Sequence, residues 1–188
     1  MTRRLSHVIG FDDAPFNPEQ RGDVLVVGAV FCGLRLEGVL SGKVRRDGAN
    51  ATRVLTEMVT GSRFASHVQA VLLQGIALAG FNVVDLPGLQ QTLQIPVIAV
   101  ARRQPDMAAI RRALLTRVRG GRRKWILLER LEPMEAVAGV FVQRVGISLP
   151  ETEELIKCLA VNSTLPEPLR TAHLIAGGIV RGESRHRV

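Results

Sequence analysis

Apolar and polar residues alternate through the first part of the chain and give way to helical spacing later. Residues 5–11 predict a strand that ends at Asp12-Asp13. The segment APFNPEQRGD carries two prolines among polar residues and reads as a loop. Residues 24–31 form a second strand. Gly33 makes a turn, and Leu34, Leu36, Gly38 and Leu40 alternate into a third strand. Three strands with short connections make a meander, which pairs antiparallel. Past the turn Arg45-Arg46-Asp47-Gly48, the residues Val54, Leu55, Met58 and Val59 fall at helical spacing, with Asn50 placed to cap that helix.

The rest of the chain is organised around VQAVLLQGIALAGFNVVD, residues 68–85. Its apolar opening is short enough to be a strand buried on both faces. A helix precedes it, so it joins the sheet in parallel through a right-handed crossover. It ends at Gln74-Gly75, and open α/β sheets place ligands beyond the carboxyl ends of such strands. Gln74 is therefore expected beside any active site. Farther on, residues 85–94 read as a short helix broken by Pro87-Gly88, and 96–101 as another buried strand. A helix over 105–118 turns Ile110, Ala113, Leu114 and Val118 inward. Residues 125–131 and 137–144 are expected to pair as a late hairpin, and helices to cover 151–160 and 167–180. The order β-β-β-α-β-α-β-α followed by additions is the pattern of the ribonuclease-H-like fold. That is an α/β mixed sheet, an antiparallel meander followed by parallel βα units, flanked by helices. No boundary interrupts it, so one domain over 1–188 is expected.

Composition narrows the function. The net charge is +8 and the pI is near 11.1, a balance that favours a polyanionic partner, most simply nucleic acid. Two distant cysteines, Cys32 and Cys158, exclude a cysteine-built zinc site and a disulfide scaffold and fit a reducing cytoplasm. No apolar run approaches the roughly 20 residues of a membrane span, so no membrane partner is expected. Aromatics at 4% with no tyrosine argue against a base-stacking platform. The glycines match neither a dinucleotide fingerprint nor a P-loop. Oligomeric state is not legible.

Asp12 and Asp13 close the first strand and point to opposite faces, Asp12 sharing the face of Val8. Asp12 is either a carboxylate ligand for a hard cation or a loop aspartate capping backbone amides. Asp47-Gly48 is a turn pair whose interest is its place before the crossover helix. Thr52, in the first turn of that helix, and Asn82 are candidates to contact a nucleic-acid backbone. Arg111 and Arg112 lie on the outer face of a helix whose basic run continues to Lys124, either a solvated surface or a track for phosphates. Arg170 and His173 are three apart and share a helix face. Gln74 lacks charge but can orient a water or bond a base edge.

The segments GFDDAPF, DGANAT, LLQGIALAGFNVVD, PVIAVARRQPD and PEPLRTAHLIA, in that order over nearly the whole chain, resemble the domain-of-unknown-function family numbered ninety-nine. Its members are mostly archaeal, and some are named endonuclease dU. That family is similar, more distantly, to endonuclease V, whose fold is ribonuclease-H-like and which cuts a strand near a deaminated base using magnesium. The resemblance implies a metal-dependent endonuclease acting on damaged DNA. Asp12 matches the first-strand aspartate, and Asp47 lies where the second acidic residue is supplied. Together they would hold Mg2+, with Mn2+ as the alternative. Arg170 and His173 would stand near the scissile phosphate. Gln74 departs from the pattern, since endonuclease V carries aspartate there. One alternative is therefore a non-catalytic nucleic-acid-binding protein on a degenerate nuclease scaffold; another is a small-molecule enzyme.

Overall fold

The computed structural model describes residues 5–17, 19 and 22–184, so the ends of the expected 1–188 domain lie outside the described residues. Strands β1 (His7–Asp13), β2 (Asp23–Cys32) and β3 (Arg35–Arg45) form the antiparallel meander, with Asp12 opposite Val27 and Val24 opposite Val44. Helix α1 (Ala51–Thr60) crosses to β4 (Ala70–Gln74), which lies parallel to β1 with Leu73 opposite Phe11. A small ribbon, β5 (Ala77–Leu78) and β6 (Asn82–Val83), precedes α2 (Leu86–Leu93) and β7 (Val97–Ala101), the next parallel strand. After α3 (Met107–Arg117) and α4 (Gly121–Glu129), β8 (Glu135–Val137) and β9 (Val140–Val145) complete the sheet antiparallel. Helices α5 (Leu149–Leu159) and α6 (Glu167–Arg181) end it. The seven strands run in the order β3-β2-β1-β4-β7-β9-β8.

Strand alternation divides the core. Ile9, Phe11, Val71, Leu73 and Val97 meet α1 and α2 on one face. Val8, Leu72, Ile98 and Val100 meet α5 and the start of α6 on the other. Ala172 and Ala176 of α6 lie over Val27 and Ala29. Because β1 is covered on both faces, its residues from Val8 to Phe11 are buried, which is why they read as a continuous apolar run.

Three local expectations are corrected. Residues 125–131 do not form a strand: 121–129 are helical, with Gly121, Lys124 and Leu128 buried at helical spacing. Helices α3 and α4 pack so closely that a Cβ at Gly121 would collide with the Leu114 carbonyl. Pro87 does not break α2 but occupies its first turn, where no N–H is needed. Asp85 caps that helix, its Oδ1 accepting from the Gly88 N–H at 3.1 Å. Asn50 does not cap α1: its Oδ1 takes the Arg45 N–H at 3.0 Å, and Asn82 Oδ1 takes the Ala51 N–H at 3.0 Å. Among the described residues no helix is long and apolar enough to cross a membrane.

Candidate functional site

Strands β1, β4 and β7 are parallel and end at the same edge. One register step past Phe11 and Leu73 stand Asp12 and Gln74, side by side on neighbouring strands about 4.8 Å apart. Alternation places both on the face of Val8 and Leu72, and Arg102 follows β7 at the same edge. The register explains how residues distant in sequence come to share one edge: a parallel crossover aligns strand ends.

Helix α6 closes this face. It can do so because residue 10 is glycine: a Cβ there would come within 2.5 Å of the Pro168 carbonyl carbon and 2.7 Å of the Leu169 nitrogen. With α6 seated, His173 Nδ1 lies 2.7 Å from Asp12 Oδ2. The other oxygen, Oδ1, accepts the Asp13 N–H at 2.9 Å. Asp12 is 4% exposed. Burial lifts its carboxyl above the ordinary range, while the bond from His173 and the charge of Arg102 pull the other way. The Asp12 bond raises His173 above its usual 6.5 against the opposing effects of burial and Arg102. The imidazole therefore keeps its proton to higher pH than a free histidine. The Gln74 Oε1 atom is buried with no hydrogen-bond donor among the described residues. An orphaned buried acceptor calls for an explanation.

Asp13 faces away, its Oδ2 accepting the Ala79 N–H at 3.1 Å. Burial and then the Asp12 charge push its carboxyl up to about 6. A raised carboxyl pKa means the folded state holds its proton more tightly than the unfolded chain. Stability is therefore lost as pH climbs from the unfolded value through about 6. Asp13→Asn, which keeps an acceptor for Ala79, is expected to raise stability by about 2 kcal/mol at pH 8 and to change it little below pH ~4. Urea denaturation at the two pH values measures this; equal stability of variant and parent at pH 8 would refute it.

Asp47 has a left-handed backbone, φ 49°. Its Oδ1 accepts the Phe81 N–H at 2.8 Å, its Oδ2 lies 3.4 Å from Arg46 Nε, and its N–H donates to the Ala79 carbonyl at 2.9 Å. Lys124, 5% exposed, donates from Nζ to the Asp47 carbonyl at 2.5 Å, and burial lowers its pKa. Gly80 lacks a Cβ that would strike Asp47 Oδ1. So the Asp47 turn is bound to the 79–81 loop, on the side of the sheet that Asp13 faces. A magnesium ion shared by Asp12 and Asp47 does not fit this donor set. Both Asp12 oxygens and both Asp47 oxygens are separately engaged. Among the described residues no group of three or more His, Cys, Asp or Glu is placed to hold a metal.

Other expected contacts resolve differently. Asn82 is fully buried and does not face a ligand; its amide donates to Arg45 O and Asn50 Oδ1, both at 2.8 Å. Thr52 Oγ1 accepts the Asp85 N–H at 2.9 Å, tying α1 to α2 instead of meeting a phosphate. Arg170 pairs with Glu167 at 3.2 Å, one turn before His173. Arg111 and Arg112 are exposed on α3. Two residues escape sequence reasoning. Arg102 acts electrostatically on both Asp12 and His173, and its signal is its place just after the PVIAVA strand. Lys124 ends what reads as a solvated basic run, and only the α3–α4 packing buries it. Beside the site, an apolar cavity of about 260 Å³ opens at Gly75 and Ala101 and is walled by Phe81, Met107 and Met134. A larger groove of about 450 Å³, by Arg130 and Arg144, touches none of Asp12, Gln74 and His173.

The family model described as endonuclease dU matches residues 4–180. A UPF0215 protein of Deinococcus radiodurans is 57% identical over 181 residues, covering 96% of this chain and 92% of the relative. A solved structure, a protein of unknown function from Archaeoglobus fulgidus, has TM-score 0.86 at 32% identity over 94% of this chain and 99% of its own. Endonuclease V of Ciona intestinalis, solved with a 24mer DNA containing an inosine followed by a ribo-adenosine, has TM-score 0.56 at 14% identity. That match covers 90% of this chain and 83% of the neighbour. At that identity the likeness is one of fold alone. With the match running almost from end to end, and with a 57% identical relative alongside it, the chain belongs to the endonuclease dU family.

Proposed function

We propose that the protein is an endonuclease that hydrolyses a phosphodiester of DNA near a deaminated base. The observation that carries the reading is the Asp12–His173 pair, 2.7 Å apart at the carboxyl edge of three parallel strands, beside the orphaned Gln74 Oε1. Family membership and the endonuclease V fold support it, and so does the +8 charge. Since the donor set does not carry the expected magnesium site, the chemistry is assigned to the side chains. Gln74 Oε1 accepts a hydrogen bond from the attacking water and holds it in line with the phosphorus. As the new P–O bond forms, the water proton passes to Asp12. His173, protonated through its bond to Asp12, gives its proton to the departing ester oxygen as that bond breaks. The proton given up is the one on Nε2, since Nδ1–H stays bonded to Asp12; solvent then reprotonates Nε2 and takes the proton from Asp12, closing the cycle. Arg102 and Arg170 oppose the phosphate charge that builds up on the way.

The test is a nicking assay on duplexes carrying a single deoxyuridine or deoxyinosine, run with magnesium, with manganese and with chelator. Cleavage next to the lesion and none on undamaged duplex is the expected result. The chelator arm decides whether a metal is needed after all. No cleavage in any arm sinks the enzyme reading.

A second reading, a non-catalytic nucleic-acid binder, is favoured by the neutral Gln74 and by the engagement of Asp47 with Arg46 and Lys124. Both readings use the exposed α3 face. The double variant Arg111→Ala/Arg112→Ala is expected to weaken DNA binding and to reduce the slope of log affinity against log salt by roughly 1 to 2, about one for each phosphate no longer neutralised. Fluorescence anisotropy over a salt series measures it, and an unchanged slope would remove α3 from the interface.

A further inference from the structure

The two edges of the sheet are unlike. Strand β8 is three residues long, too short to template another chain. Strand β3 runs for eleven residues, and among the described residues no strand pairs with its outer edge. A long uncovered edge is a ready template for a further strand. One face of β3 is closed, since Gly38 and Gly42 let Phe64 and Met58 lie against it. The other face, on the side of α6, is open: Leu36 and Val39 are each 44% exposed. On that side Ile175 packs against the cluster of Val27, Ala29 and Phe31, and Ile179, one helical turn on, is 62% exposed. Hydrogen bonding decides which residues of β3 offer their backbone. Arg45 donates its N–H to Asn50 Oδ1 at 3.0 Å instead of to β2, whereas Arg46 donates to the Gly22 carbonyl at 2.9 Å. Antiparallel ladders alternate in this way, and the register is regular from Asp23–Arg45 to Val30–Gly38. Val39, Ser41 and Lys43 therefore turn their N–H and C=O groups outward, and all three residues are exposed.

We propose that β3 pairs with β3 of a second copy of this chain, antiparallel about a two-fold axis at Ser41, joining the two sheets into one. Val39 then exchanges main-chain bonds with Lys43 of the second copy, Ser41 with Ser41, and Lys43 with Val39, about six bonds in all. An edge that pairs with itself closes as a two-fold dimer. The charges agree with the antiparallel direction. It brings Arg45 beside Glu37 of the second copy at each end of the ladder. Glu37 holds Arg35 through Oε1 at 2.5 Å, and its Oε2 lies 3.9 Å from His7 Nε2, beyond hydrogen-bond reach, so Oε2 is open to a second cation. Parallel pairing would instead place Lys43 and Arg45 against their own counterparts, like charges side by side. Val39 is covered by the aliphatic stem of the opposing Lys43. Asp12, Val27 and Ser41 occupy one row of the sheet. Both Asp12 carboxylates thus come to lie on the α6 face of the joined sheet, five strand spacings or about 24 Å apart.

Sedimentation velocity of the full chain, from micromolar to submillimolar protein, is expected to show a monomer–dimer equilibrium. Val39→Lys sets a lysine against Lys43 of the second copy twice in the ladder and should weaken the dimer about tenfold. Residue 39 is exposed, so the variant should keep the circular dichroism spectrum of the parent. Cross-linking reads the register. With Cys158→Ser as background, Ser41→Cys should form a disulfide between copies on mild oxidation. Directly opposed residues of a hydrogen-bonded pair have Cα atoms about 5.5 Å apart, within disulfide reach. Val39→Cys in the same background should not, because its counterpart stands four positions along the ladder from the residue it faces. A monomer at every concentration, a dimer indifferent to Val39→Lys, or equal cross-linking from positions 39 and 41 overturns the proposal.

Discussion

Asp12→Asn is expected to lower lesion-directed nicking about a thousandfold, the scale that positioned acid–base groups contribute, with the protein still folded and still bound to DNA. The asymmetry follows from the geometry. The asparagine keeps the shape of the side chain and can still accept the Asp13 N–H that Asp12 receives at 2.9 Å. What the substitution removes is the charge that holds His173 and that, in the proposed mechanism, takes up the water proton. For stability the effects oppose one another. The buried carboxylate is disfavoured by desolvation, and its bond to His173 offsets that, so the net change should stay within about 1 kcal/mol. A second readout separates this from general damage. His173 is raised by Asp12, so in Asp12→Asn its titration, followed by NMR, should fall back toward the ordinary histidine value. The linkage has a definite sign. A histidine whose folded pKa lies above its unfolded one stabilises the fold below the unfolded value, and that contribution fades as pH rises through the folded value. The stability that the His173 bond gives the parent should therefore vanish from the comparison with the variant at alkaline pH. An active Asp12→Asn, or an unmoved His173, would take the pair out of the chemistry.

The second large effect is expected from a residue with no functional group. Gly10→Ala puts a methyl 2.5 Å from the Pro168 carbonyl carbon and 2.7 Å from both the Leu169 nitrogen and the Pro168 oxygen. These are backbone atoms at the start of α6, so no rotamer change relieves the contact. Either β1 or α6 must move, and overpacking of this kind costs about 3 kcal/mol. Because α6 carries His173, the shift that relieves the clash also draws the imidazole from Asp12. Activity should therefore fall at least about a hundredfold even at temperatures where the variant is folded, since small displacements at a reacting site are costly. Thermal denaturation paired with the nicking assay tests both halves. A variant with parental melting temperature and parental rate would show that α6 does not need this close approach.

These two residues also show how much could be read from the chain alone. The strand alternation from His7 to Arg45, the crossover into β4 and the final helix follow from hydrophobic period and turn residues, because those signals are local. The same period places Asp12 and Asp13 on opposite faces, and the motif order identifies the family. Tertiary packing decided the rest. Residues 121–129 are helical because Gly121 lets α4 lie against Leu114, an approach that no local pattern reports. Asn82 caps α1 from 31 positions away, and Asp47 is held by Lys124, 77 positions on. A side chain's partner depends on which elements fold over it. His173 reaches Asp12 across 161 residues only because β1 is buried beneath α6 and a glycine stands where they touch.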